Sequence, residues 1–148
     1  MKVVSVNISK EKGTIKQPVS EIEIINKGVK DDAHTGVLNR EVSLLSQEKI
    51  DQFSNKAGAR KFKPGEFAEN ITFSGIDQEA VGISDRFIIG DVELEVTQLG
   101  KECRGNKCAI FNEIGKCVMP KEGIFCKVIK IGKIKPGDII KYIKAPSR

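Results

Sequence analysis

The sequence predicts a mostly β protein. Short apolar segments recur between turn signals, and residues 92–97 alternate strictly between apolar and polar side chains. Only one stretch has the periodicity of a helix. Because 148 residues, 39% of them hydrophobic, make one ordinary domain, we predict a single domain over residues 1–144 and a tail at 145–148.

Eight segments have the composition and patterning of strands. They are residues 3–8, 22–25, 42–45, 71–73, 87–89, 92–97, 124–129 and 139–143. Gly90 and Asp91 predict a tight hairpin turn, since glycine accepts a positive φ, and residues 135–138 predict a second turn. Many short strands joined by Gly-rich turns are typical of a barrel or a sandwich.

One helix is predicted directly after the third strand. Ser46 can cap its N-terminus, and Ile50, Phe53 and Ala57 fall on one face. Gly58 ends it.

The positive charge lies at one end of the chain. The net charge is +5, but seven of the 25 basic residues and only one of the 20 acidic residues lie in residues 127–148, so the rest carries one net negative charge. Base stacking needs aromatic residues, and this segment has only Tyr142. We therefore interpret the lysines as a solvated edge strand rather than a nucleic-acid surface, with capture of an anionic ligand as the alternative. Apolar runs are too short for a membrane span, the first residues do not resemble a signal peptide, and we expect a cytoplasmic protein.

The chain has four cysteines: Cys103, Cys108, Cys117 and Cys126. Their spacing does not match the paired ligands of a zinc ribbon, and structural disulfides are rare in the cytoplasm. Cys126 lies within a predicted strand and is interpreted as a small core residue. Cys117 fits either a core or a cavity wall.

Cys103 lies in a more polar segment after the strand at 92–97. The neighbouring cations Lys101, Arg104 and Lys107 would favour its thiolate, the form that attacks or binds metal. A loop cysteine without a function is the alternative.

His34 is the only histidine, and turn-forming residues surround it. Asp32 either caps its own loop or orients His34. Arg40 follows closely, and its planar guanidinium is suited to phosphate.

Five segments together resemble the MOSC domain, the module found at the C-terminus of molybdenum cofactor sulfurases and in free-standing bacterial proteins. Residues 32–36 resemble the family's GDxHxG segment, 40–46 its R-x-V-S-L-L strand and 65–72 its GxFxENIT stretch. Residues 89–98, followed by Cys103, resemble the strand that leads to the family cysteine. Residues 117–125 and 137–138 are similar to the closing segments.

The resemblance implies a closed, mostly antiparallel β-barrel with one or two short helices and a ligand cavity at one end. It implies a role with the molybdenum cofactor, in which Cys103 ligates molybdenum or carries sulfur. His34 joins Cys103 as a candidate catalytic residue, and the candidate cofactor-binding residues are Asp32, Arg40, Asn70 and Lys101.

Two residues depart from the family pattern. Asp31 replaces a Gly, and Glu102 stands where many relatives carry Pro and opposes thiolate formation. Cys108 therefore stays open as the working thiol or a resolving partner.

Three functions remain open at this point. The first is a molybdenum enzyme that reduces N-hydroxylated compounds as some relatives do, and that needs an electron-donor protein. The second is a carrier that accepts persulfide on Cys103 from a sulfur donor. The third is a β-barrel that binds phosphate or nucleic acid through the basic tail, whose affinity would fall steeply with salt.

Overall fold

The structure is a computed structural model. It describes residues 1–10, 15–33, 35–36, 41–57, 62–76, 78–99 and 123–146. The strands are β1 (Lys2–Ile8), β2 (Gln17–Val19), β3 (Ile22–Ile25), β4 (Gly28–Val29), β5 (Val42–Ser46), β6 (Ile71–Ser74), β7 (Arg86–Ile89), β8 (Val92–Leu99), β9 (Ile124–Lys130), β10 (Gly132–Ile134) and β11 (Ile140–Ile143). The helix α1 covers Gln47–Ala57, and a 3-10 turn covers Gln78–Ala80.

Most strands belong to one eight-stranded sheet. Its order is β11-β7-β8-β9-β5-β6-β1-β2, and β3 pairs with β4 and β10 in a second sheet. The pairs are antiparallel except that of β5 with β6, which is parallel because α1 lies between these strands in the chain. Over the residues that the structure describes, the protein is therefore mostly β, with one mixed sheet, one antiparallel sheet and one short α-helix.

The closed antiparallel barrel expected from the resemblance is not supported. The parallel pair makes the large sheet mixed, and among the described strands β2 pairs only with β1, which leaves an edge. The other edge strand, β11, approaches the start of β1 through the bridge between Lys2 and Ile139 rather than through a full ladder.

The structure contains three strands that the sequence pattern did not predict. They are β2, β4 and β10, each two or three residues long. Segments this short cannot display a period-2 alternation, so no pattern in the sequence marks them. The eight predicted segments all contain strands, with ends that differ by at most two residues.

The core forms between the sheets from residues that alternate along the strands. In β8 the side chains of Val92, Leu94 and Val96 are buried, as the alternation predicted. Phe73 and Phe87 pack at a centroid distance of 6.2 Å, and Phe87 also packs on Tyr142.

The helix begins where the sequence predicted. The Ser46 hydroxyl accepts a hydrogen bond from the backbone N–H of Lys49 at 3.1 Å and so caps the helix. Ile50 is fully buried, whereas the side chains of Phe53 and Ala57, and all of Gly58, lie outside the described residues. Within the described ranges, no helix has the length and apolar character needed to cross a membrane.

Candidate functional site

A cluster of buried polar side chains surrounds the end of β1. Its members come from β1, from the segments on either side of β2 to β4, and from β6 and the residues before it. They are Ser5, Asn7, Ser9, Lys16, Asp32, Glu69, Asn70 and Thr72, each at most 8% exposed. A concentration of polar groups in the interior costs free energy unless they bind one another, so the arrangement within this cluster matters.

An ion pair between Lys16 and Asp32 forms one half of the buried polar cluster. The Lys16 Nζ lies 2.7 Å from the Asp32 Oδ1, and both side chains are almost fully inaccessible to solvent. Lys16 also donates to the Ser9 hydroxyl at 3.2 Å, and the Ser9 N–H donates to the same Asp32 oxygen at 3.0 Å. Burial lowers the pKa of Lys16, while the hydrogen bond and the charge of Asp32 oppose that change.

Glu69 lies in the other half and is 0% exposed. Its Oε2 accepts hydrogen bonds from the Gly65 N–H at 3.0 Å and from the Thr72 hydroxyl at 2.7 Å. Its Oε1 accepts none from the described residues. Burial raises the pKa of Glu69, and the hydrogen bonds from Gly65 and Thr72 oppose that rise.

Asn70 joins β5 to the end of β1. Its Oδ1 accepts from both the N–H and the hydroxyl of Ser43, each at 3.1 Å, and its Nδ2 donates to the backbone oxygen of Asn7 at 3.3 Å. Both ends of the amide are therefore engaged by the protein. Asn70 shapes the wall of the cluster rather than presenting a free polar group.

Gly65 is required by the close approach of two segments. It has a φ of +89°, and a Cβ atom there would lie 2.3 Å from the backbone oxygen of Lys16. The Lys16 N–H donates to the Gly65 oxygen at 2.8 Å. The absence of a side chain at Gly65 thus lets the segment that carries Lys16 pack against the segment that leads to Glu69.

The loop after β4 is held tightly on both sides of His34. The Ala33 N–H donates to the Ser9 oxygen at 2.8 Å, and the Thr35 hydroxyl donates to the Val29 oxygen. Asp31 adopts a φ of +67°, the left-handed conformation that glycine accepts most easily. The departure from the family's Gly therefore leaves the turn intact, because Asp tolerates this conformation better than most residues.

Two of the predicted site residues fall within the buried polar cluster. Asp32 binds the Ser9 N–H just after β1, and Asn70 binds the Asn7 carbonyl oxygen within it, so both attach to the same end of one strand. The other four candidates, His34, Arg40, Lys101 and Cys103, lie outside the described residues. Cys108 and Cys117 lie outside them as well.

Cys126 is a core residue, as predicted. It is 0% exposed and pairs with Val42 on β5 and Val96 on β8. Burial raises the pKa of its thiol, and the charge of Glu95 adds to the effect. A thiolate is disfavoured here, so Cys126 is unsuited to bind a metal or carry sulfur.

The described residues do not by themselves offer a metal site. No group of three or more His, Cys, Asp or Glu side chains among them could hold a metal ion. Asp32 is engaged by Lys16 and Asn70 by Ser43 and Asn7.

Lys16 and Glu69 are members of the cluster that the sequence did not single out as functional. Lysine is almost always exposed, and nothing around Lys16 in the sequence indicates burial. Glu69 lies in the segment that resembles GxFxENIT, but it could not be distinguished from Glu66. In the structure the side chain of Glu66 is only half-buried and accepts a hydrogen bond from the Lys63 N–H, so the two carboxylates have different environments.

The lysines after residue 126 lie at the surface. Lys127 pairs with Glu95 at 3.3 Å and Lys130 with Glu93 at 4.0 Å across β8 and β9. Lys141 is exposed on the edge strand β11. Exposed ion pairs of this kind contribute little stability, and lysines on an edge strand discourage sheet-to-sheet association.

The chain is thus a mostly β domain in which the buried polar cluster holds the segment between β4 and β5, through the contacts of Ser9 with Asp32 and Ala33. A family model described as "MOSC domain" matches residues 31–141, and the chain belongs to this family. The fold is similar to the crystal structure of the YUAD protein from Bacillus subtilis, with 19% identity and a TM-score of 0.81 over 97% of this chain and 96% of that one.

Two further solved structures have the same fold. YiiM from Geobacillus stearothermophilus is 23% identical, with a TM-score of 0.76 over 97% of this chain and 75% of its own. YiiM from Escherichia coli is 18% identical, with a TM-score of 0.67 over 98% of this chain and 71% of its own. A comparison with curated proteins gives no match.

Proposed function

We propose that this protein works with the molybdenum cofactor, in a cavity bordered by the buried polar cluster. Membership of the MOSC family supports this, because MOSC domains are associated with that cofactor in general. The observation that carries the proposal is that Asp32 and Asn70, from two separate family-like segments, bind the same end of β1 in one buried cluster.

Cys103 is the proposed molybdenum ligand. Cys126 is excluded by its place in the core, which leaves Cys103, Cys108 and Cys117. The chain leaves β8 at Leu99 and returns at Ile124, and these two residues pair with each other. Ile124 pairs with Leu44, which pairs with Ile71, the residue after Asn70. The segment with the three cysteines is thus anchored two to three strand spacings, or about 10–15 Å, from the cluster.

When bound, the molybdenum cofactor supplies two-electron redox chemistry through a metal that accepts a soft thiolate ligand. The proposed reaction is the reduction of an N-hydroxylated compound to the amine and water, which consumes two electrons and two protons. The electrons come from a separate electron-donor protein in the cytoplasm. His34 is the second proposed catalytic residue, in addition to Cys103. Arg40 and Lys101 are proposed to bind the phosphate of the pterin.

Metal analysis together with pterin fluorescence tests the cofactor proposal. The protein is expressed in a host that makes the molybdenum cofactor, beside Cys103→Ser and the matched variants Cys108→Ser and Cys117→Ser. We expect near-stoichiometric molybdenum in the wild type and in the two matched variants, and loss of the metal only in Cys103→Ser. Equal loss in Cys103→Ser and Cys108→Ser would contradict the choice of Cys103.

Arg40→Ala tests the phosphate contact. We expect weaker retention of the cofactor with an unchanged midpoint of urea unfolding, because the guanidinium would contact the cofactor and would not stabilise the folded protein. Loss of folded protein would instead identify Arg40 as a structural residue.

The sulfur carrier is the alternative outcome of the same experiment. Protein without metal in every variant, in a host where a control protein is loaded, would overturn the cofactor proposal. Trapping of persulfide on Cys103, with Cys108→Ser as the control, would then support the carrier. We do not propose a nucleic-acid function, because Lys127 and Lys130 already pair with Glu95 and Glu93.

A further inference from the structure

The two oxygens of the Glu69 carboxyl group have different environments. Oε2 accepts two hydrogen bonds, from the Gly65 N–H and the Thr72 hydroxyl. The Thr72 oxygen itself accepts from the Asn7 Nδ2 at 3.2 Å, so its own proton is directed to Glu69. Oε1 accepts no hydrogen bond from the described residues, although it is buried. If the group carries a proton, that proton therefore belongs on Oε1.

The charges in the cluster favour a proton on Glu69. Among the described residues, Lys16 and Asp32 are the charged groups that act with Glu69 inside the cluster, and together the three contain two carboxyl groups and one ammonium. The ammonium lies 2.7 Å from Asp32, whereas its interaction with Glu69 is a longer-range attraction without a hydrogen bond to Oε1. A second buried carboxylate with no cation bonded to it costs free energy, and this cost favours uptake of a proton.

Backbone groups oppose this protonation but leave Oε1 unpaired. The N–H groups of Gly65, Phe67 and Glu69 itself favour the charged carboxylate, yet burial outweighs them and raises the pKa. The N–H of Gly65 bonds to Oε2, and none of these groups bonds to Oε1.

We propose that Glu69 is a neutral acid at neutral pH, and that its proton commits Lys16 to Asp32 and thereby fixes the loop that carries His34. If Glu69 lost its proton, the new carboxylate would compete for the Lys16 ammonium. Lys16 would then hold Asp32 and the Ser9 hydroxyl less firmly, which would weaken the bonds from the Ser9 N–H to Asp32 and from the Ala33 N–H to the Ser9 oxygen. Glu69 is thus a positioning residue, which acts on the loop through Lys16.

The link from this loop to a cofactor rests on the proposed function, but the protonation state of Glu69 does not. Infrared spectroscopy of the metal-free protein tests that state directly, since a protonated carboxyl group has a carbonyl band separate from the bands of carboxylates. We expect this band at neutral pH in the wild type and in Glu66→Gln, and its loss in Glu69→Gln. Glu66 is the matched control because its half-buried carboxyl group lies three residues away.

Amide hydrogen exchange tests the effect on the loop. In the wild type, we expect the protection of the Ser9 and Ala33 amides to fall by about tenfold or more as the pH rises, as for loss of a hydrogen bond to a charged group. In Glu69→Gln, whose amide mimics the neutral acid, the protection should not change with pH. An identical pH response in both proteins, or a missing carboxyl band in the wild type, would overturn the inference. Neither measurement uses the cofactor, so the cofactor proposal can fail separately.

Discussion

Asp85 and Glu69 are both 0% exposed, but the structure satisfies their oxygens to different extents. Asp85 accepts from the Ala145 N–H on Oδ1 and from the Gly82 N–H and the Tyr142 hydroxyl on Oδ2. Glu69 accepts two hydrogen bonds on its Oε2, the same number as Asp85 on its Oδ2. On its Oε1, however, Glu69 accepts none from the described residues.

The difference indicates different roles for the two carboxyl groups. Asp85 connects the turn before β7 with the end of β11, and each of its oxygens has a donor, so it serves the fold. Glu69 lies beside a buried ion pair and keeps one oxygen without a donor, an arrangement with no benefit to stability. Groups of this second kind are candidates for function, because they persist despite their cost.

The largest expected effect is that of Lys16→Met. The change removes the ammonium that lies 2.7 Å from the buried Asp32 carboxylate, which should lower the free energy of unfolding by about 3–5 kcal/mol. Urea unfolding measures this change. The double variant with Asp32→Asn should regain much of the loss, and no recovery would show that Lys16 contributes through its packing instead.

Asp85→Ala tests the other carboxyl group and should have the next largest effect. Three donors would lose their acceptor, which should cost about 3 kcal/mol. If the proposed function holds, the molybdenum content should be unchanged in whatever fraction stays folded. A variant that folds normally but loses the proposed cofactor would contradict the division between a structural and a functional carboxyl group.

Tyr142→Phe should have a smaller effect of the same kind. The change removes the hydroxyl that donates to Asp85 while the ring keeps its contact with Phe87 at 5.5 Å. One net hydrogen bond is worth about 1 kcal/mol, to be read from the urea midpoint. A much larger loss would show that the hydroxyl is needed for the fit of the ring.

Glu69→Gln should have the smallest effect of these variants on the free energy of unfolding at low pH. At higher pH it should be stabilising relative to the wild type, unlike the other three variants. Because the folded state raises the pKa of Glu69, the wild type binds this proton more tightly when folded, and its stability falls as the pH rises above about 4.3. The variant lacks this decline, so its stability relative to the wild type should increase with pH. Parallel curves of unfolding free energy against pH would contradict the raised pKa.

Much of the fold could be predicted because its signals are local. The alternation in β8, the Gly90 turn and the Ser46 cap each depend on a few adjacent residues, and the structure contains all three. The strands β2, β4 and β10 could not be predicted, because they are stabilised by pairing with distant segments rather than by their own pattern. The residue pattern alone allowed either a barrel or a sandwich, and only the resemblance to the family implied a closed barrel. The edge at β2 does not support that closure.

The site could be predicted only in part, for the same reason. Asp32 and Asn70 were identified through segments that resemble the family, whereas Lys16 has no sequence signal and is defined by its contact with Asp32. His34, Arg40, Lys101 and Cys103 remain predictions.

The sequence by itself determined the mostly β character, the family and the core role of Cys126, since composition, period-2 patterning and ordered motifs are properties of the chain. Only the tertiary structure decided which carboxyl groups are satisfied. Charge pairing and burial depend on segments far apart in the chain, such as Lys16 with Asp32 and Asn7 with Thr72 across the end of β1. A side chain's protonation follows from such neighbours, which no local pattern encodes.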